Sequence, residues 1–221
     1  MMKKEFVVSA ILVLAASLCR QADASTFDFS FVGPGVSGTV DLTYGTATDA
    51  KYHQAFEITG ISGFFSDSNN GLNIVNASIG PLEAIKHDKP DSTNLLAPHD
   101  FSRFAVAGLG HGSLTYDNLY YPGGSPQTAS DYPLHGGFLD IYGLMFDIGG
   151  GRVVDLWSNG DPGSTGLGPI YGVAVATHAG ALDYVSSGVS ITPEPGALGL
   201  LGGGLLAMLV WRRRACSRCN E

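Results

Sequence analysis

Two short runs near the start of the chain fix its fold class. Phe27, Phe29 and Phe31 alternate with Asp28 and Ser30, and Val36, Gly38, Val40 and Leu42 fall on one face of a second run. A period of two is that of a strand with one buried face. Gly33-Pro34-Gly35 between the runs is a turn. The pattern recurs as far as residue 191. Short strands are predicted over 56–58, 61–65, 72–79, 138–146, 152–158, 170–177 and 181–191. Ser66-Asp67-Ser68-Asn69-Asn70-Gly71 supplies turn chemistry for a hairpin, and Gly149-Gly150-Gly151 supplies it for another. Only residues 81–87 leave room for a turn of helix. Many short strands joined by glycine-rich turns predict an all-β domain, a β-sandwich or jelly roll. No fixed-period repeat supports a propeller or solenoid. Two polar, proline-containing excursions, 86–99 and 120–137, are long for a compact domain and mark functional or mobile loops.

The ends read differently. Lys3 and Lys4 precede an apolar run over 6–18, and Ala22-Asp23-Ala24 places small residues at cleavage offsets. This is the pattern of a secretory signal peptide, residues 1–24, cut between Ala24 and Ser25. Leu18 before Cys19 does not fit a lipoprotein signal, which wants a small residue there. At the other end, Pro193-Glu194-Pro195 is followed by an uncharged span, 196–211, and then by Arg212, Arg213 and Arg214. As a helix the span reaches roughly 24 Å, against about 30 Å for a hydrocarbon core. Trp211 at the headgroups and snorkelling arginines extend it, with the C-terminus cytoplasmic. One C-terminal transmembrane helix is expected. The organisation is therefore 1–24 signal peptide, 25–191 exported β domain, 192–214 sorting and anchor segment, and 215–221 cytoplasmic tail.

Pro-Glu-Pro, one short apolar helix and a terminal arginine cluster together resemble the PEP-CTERM sorting signal, whose tail also appears in families named for an ice-binding protein C-terminal domain. The resemblance implies recognition by an exosortase-type membrane protease and transient anchoring. It then implies release to the cell surface or extracellular matrix, in association with exopolysaccharide and biofilm. Within the domain, Asn118-Leu119, Pro122-Gly123-Gly124, residues 136–140, residues 142–146 and residues 156–160 resemble a recurring type of PEP-CTERM exported domain, and residues 171–175 fit the same series. These phrases imply no reaction.

Charge and cysteine usage narrow the function classes. Residues 25–191 carry five basic and sixteen acidic side chains, a formal balance of −11 with histidines neutral. Such a surface disfavours nucleic acid and anionic lipid, although it could hold calcium. All three cysteines, Cys19, Cys216 and Cys219, lie outside the domain, so packing rather than a disulfide must stabilise it. The CxxC spacing of Cys216 and Cys219 has no second ligand pair and reads as tail.

No catalytic signature emerges. His53, His87, His99, His111, His135 and His178 form no HxH or HExxH pair, and no GxSxG elbow accompanies His99-Asp100. Carboxylate pairs for glycoside hydrolysis are available in number, though only Glu57 and Glu83 are glutamates within the domain. Residues 67–71 misplace the glycine of a calcium loop and fit a hairpin turn better. No cofactor and no metal site is expected. Tyr116, Tyr120, Tyr121 and Tyr132 cluster in or beside the second excursion. They either pack the loop onto the sheet or, at Tyr120, Tyr121 and Tyr132, offer ring faces to a sugar, with Asn118 and Asp131 for hydroxyls. Trp157 is expected in the core.

The expectation is a non-enzymatic exported protein associated with extracellular polysaccharide. The alternatives are a hydrolase of extracellular polymer and an ice-binding protein. Thr39, Thr43, Thr46 and Thr48 do not form a regular ladder for the last of these.

Overall fold

The structure is a computed structural model that describes residues 24–85, 114–129, 132–163, 166 and 168–194. The strands are β1 (Ser25–Gly33), β2 (Val36–Thr48), β3 (Phe56–Asp67), β4 (Ile74–Ser78), β5 (Leu119–Tyr120), β6 (Leu144–Asp147), β7 (Val153–Ser158), β8 (Tyr171–Thr177) and β9 (Gly180–Pro193). Among the described residues the only helical element is the short 3-10 turn Asn69–Gly71. No helix there is long and apolar enough to cross a membrane. The signal peptide up to Asp23, the excursion 86–99, and the tail from Pro195 onward with its expected helix lie outside the described residues.

The sheet is antiparallel, in the order β4-β3-β2-β1-β9-β8-β7-β6, with β5 on β3. The all-β expectation therefore holds. The sandwich or jelly roll gives way to two meanders, β1–β4 and β6–β9, fused side by side into one curled sheet. Strand β9 makes the fusion. Its first part pairs with β8 from Thr177↔Gly180 to Tyr171↔Val189, and its last part pairs with β1 from Val32↔Ser190 to Phe29↔Pro193. The curl then closes on itself. Beyond β4, Ile79 N–H donates to Gly63, while Gly80 N–H donates to Asp147 (2.7 Å) and Glu83 N–H to Met145 (2.9 Å) on β6. Leu82 bridges Phe146. Residues 81–83 are thus extended edge cover for β6, and the expected helical turn is absent there. Such cover blunts an open strand edge.

Inside the curl, Phe29, Phe31, Val40, Leu42 and Phe65 from one meander meet Leu144, Phe146, Val154, Leu156, Val173 and Val175 from the other. This cluster has twenty buried members. At about 1.5–3 kcal/mol for each large apolar side chain removed from water, they exceed the ~2–4 kcal/mol of one disulfide many times over. A core of this size explains how the domain dispenses with cysteine.

The second meander is also covered on its outer face. Leu114, Tyr116, Ala129 and Ile141 lie over Met145, Val153, Trp157, Ala174 and Ala176. That is why β7 is buried at every position whereas β2 alternates. Trp157 is core, as expected, stacked on Tyr184 with centroids 5.3 Å apart.

The strand predicted over 138–146 begins only at Leu144. Asp140 Oδ1 accepts from the backbone N–H groups of Tyr142 (2.9 Å) and Gly143 (3.2 Å), and such a side-chain turn competes with a strand ladder. The stretches 56–58 and 61–65 run as one strand, with one of its two register shifts against β2 lying between them. The turn 67–71 is pinned to β9, since Asn69 and Asn70 donate to Asp183 (2.9 and 2.7 Å). A hairpin turn is therefore sufficient to explain it.

Candidate functional site: a docked sorting triplet and a buried carboxyl pair

The last strand runs on past residue 191 into the Pro-Glu-Pro triplet. Thr192 and Pro193 belong to β9, opposite Ser30 and Phe29. Glu194 N–H donates to the Asp28 carbonyl at 2.8 Å. Backbone groups alternate sides along a strand, so residue 193 turns its nitrogen away from β1. A proline is tolerated in a strand where no ladder donor is required, and position 193 meets that condition. Pro193 and Glu194 are exposed, while Ile191 packs against the main core. Ser25, on the far side of the expected leader cleavage, is the first residue of β1. Pro195 and residues 212–214 lie outside the described residues.

The second feature lies under the 114–142 chain. Tyr120 and Tyr121 are 5% and 0% exposed, and Tyr116 is 3% exposed. Their rings pack the loop onto the sheet, so the expected sugar platform at Tyr120 and Tyr121 is corrected to core packing. Tyr120 stacks on Phe27 at 4.8 Å. Burial pushes the Tyr120 and Tyr116 hydroxyls up to about 12. Tyr132 is half-buried and donates to the Asn159 carbonyl at 3.0 Å.

Beside these tyrosines, Asp117 and Asp140 face each other, both closed off from solvent. Asp140 accepts from Tyr142, Gly143 and the Tyr121 hydroxyl (3.2 Å), which offsets part of its burial cost. Asp117 Oδ1 accepts from Leu119 N–H at 3.2 Å, and its Oδ2 meets no donor. Burial first, and the Asp140 charge second, hold Asp117 well above the ordinary carboxylate range. Burial also raises Asp140, and two carboxyls in one dry site disfavour a second negative charge. Asp155, on β7 between Met145 and Ala174, has neither oxygen hydrogen-bonded, and burial raises it well above the usual range too.

None of these three aspartates stood out among the domain's acids in the sequence. A signal existed for one of them, because Asp155 interrupts the run Val153-Val154-Asp155-Leu156-Trp157. An acid inside an apolar strand is buried on whichever face it takes.

The sign of the pH dependence follows. Above about pH 3.9, where an unfolded Asp loses its proton, the folded chain holds more protons at these sites than the unfolded chain. Stability then falls as pH rises, by up to about 1.4 kcal/mol per pH unit for each group still protonated. Thermal unfolding followed at pH 5 and pH 7.5 should give the higher Tm at pH 5. Asp155→Val should raise the unfolding free energy at pH 7.5 by roughly 1–3 kcal/mol and reduce its pH slope.

Asp117 and Asn118 also border a cavity of about 350 Å³ with Asp49, Glu57 and Glu83 on its wall and Ile58, Leu82 and Leu119 beneath. Among the described residues no three His, Cys, Asp or Glu side chains converge on a point where a metal ion could sit.

A curled antiparallel domain whose last strand runs straight into Pro-Glu-Pro, an apolar span and an arginine cluster defines a class: a folded passenger with a C-terminal sorting signal. Residues 192–214 match the PEP-CTERM protein-sorting motif. No curated protein and no solved structure matches the chain. The chain thus carries a PEP-CTERM signal, which marks it as a substrate for export and for exosortase, a membrane enzyme.

Proposed function

We propose that this is a non-enzymatic exported protein, released at the cell surface or into the extracellular matrix, where its β domain associates with polysaccharide. The match of residues 192–214 to the sorting motif carries the reading. The burial of the carboxyl pair supports the non-enzymatic part. Although Asp117 borders the cavity, it and Asp140 are only 0% and 2% exposed, so a polymer held there meets little of either carboxyl. The acid-lined cavity favours neutral or amine-bearing sugars over uronate-rich ones, because like charges repel.

The test uses protein recovered from the culture medium. Retention on a neutral or amine-bearing polysaccharide, without release of new reducing ends, is the expected outcome. Turnover of such a substrate would replace this reading with that of a hydrolase.

A further inference from the structure

The sorting motif begins at Thr192, and the fold holds its first residues in the sheet. Ser190, Ile191, Thr192 and Pro193 lie opposite Val32, Phe31, Ser30 and Phe29 of β1, and Glu194 N–H adds a further bond to Asp28. The chain is therefore already extended, with its direction set, where the tail leaves the domain. A protease takes its substrate as an extended segment with unpaired backbone, so residues inside this ladder are unavailable without peeling β9 from β1. Peeling would also lift Ile191 off the core and expose the strand beside the buried Val189.

We propose that β1 is the platform that presents the sorting triplet, and that the processed bond lies on the C-terminal side of the Glu194 carbonyl. This rests on the sorting reading above. In the step itself, a peptide C–N bond at or beyond that carbonyl breaks. The freed nitrogen takes a proton and departs with the tail, and the carbonyl carbon takes the oxygen of water or the nitrogen of an acceptor amine. The product keeps β9 whole, so release does not loosen the domain.

Strands β1 and β9 are antiparallel neighbours with Phe29 opposite Pro193, so β9 ends beside the middle of β1 and heads toward the Ser25 end of that strand.

Two measurements test the proposal. The first is the C-terminal residue of the released protein. A product that retains Glu194 agrees with the platform, and one that ends at Pro193 or earlier overturns it. The second is a staple, Val32→Cys with Ser190→Cys, at directly opposed exposed positions just outside the motif. Opposed strand residues are near enough for a disulfide, and the domain has no cysteine to compete. Release with the staple closed and no loss of product is the expected result. Loss of release, restored by reductant, would show that β9 must open and would overturn the platform. If the native chain is never shortened at its tail, the sorting reading fails. The platform is then judged on the full chain in detergent by exchange of the Glu194 amide: slow exchange supports it, and exchange at the rate of a free peptide overturns it.

Discussion

Reversing the charge of the terminal cluster, Arg212→Glu with Arg213→Glu and Arg214→Glu, should abolish release and leave the chain unprocessed in the cell. The apolar span is expected to be short for a membrane, and such a span depends on flanking arginines that snorkel to the headgroups. Acidic residues there remove both the anchor point and the orienting charge. Glu194→Ala isolates recognition from folding. Glu194 is held to Asp28 through its backbone N–H and its side chain is exposed, so the substitution leaves β9 in place. It too should accumulate the longer form. Immunoblots of membrane and medium separate the forms by size, and unchanged release from either variant would count against the account.

The second large effect concerns the sheet. Gly63, on β3 opposite Val40, has φ of 132°, and an added Cβ would collide with the backbone carbonyl of Thr39 on β2. Backbone strain and overpacking each cost about 1–3 kcal/mol. Gly63→Ala should therefore destabilise the domain by about 4 kcal/mol, a drop of roughly 10 °C in Tm for a domain of this size. Gly71 is the control. Its φ is 74°, but an added Cβ there meets nothing within 4 Å, so Gly71→Ala should cost only the ~1–2 kcal/mol of a left-handed residue. Equal losses from the two variants would mean that the β2–β3 contact is looser than described.

What the sequence made legible was local. The alternation at 27–31 and 36–42 placed β1 and β2 because one face of each is wet. Turn chemistry placed the β3–β4 and β6–β7 hairpins. The stretch 138–143 was misread because Phe138, Leu139 and Ile141 mimic a strand, whereas the Asp140 side chain takes the amides of Tyr142 and Gly143.

The pairing of Ser30 with Thr192 was not legible at all. It joins the two ends of the domain, and no turn or spacing encodes it. That β9 runs on to Pro193 was not legible either, since a proline argues against a strand unless its nitrogen faces away from the partner. The tyrosines at 120 and 121 illustrate the same limit. Their composition suits either a binding face or a packing role, and only the position of Phe27 and of the sheet beneath decides for packing. The sorting tail was readable because its three parts follow one another in the chain.

The most direct test of the account is the intact mass, with both terminal residues, of the protein recovered outside the cell. The account predicts a chain that starts at Ser25 and lacks the apolar span and the arginines. The full polypeptide, with leader and tail both attached and dissolved in the cytosol, would contradict it.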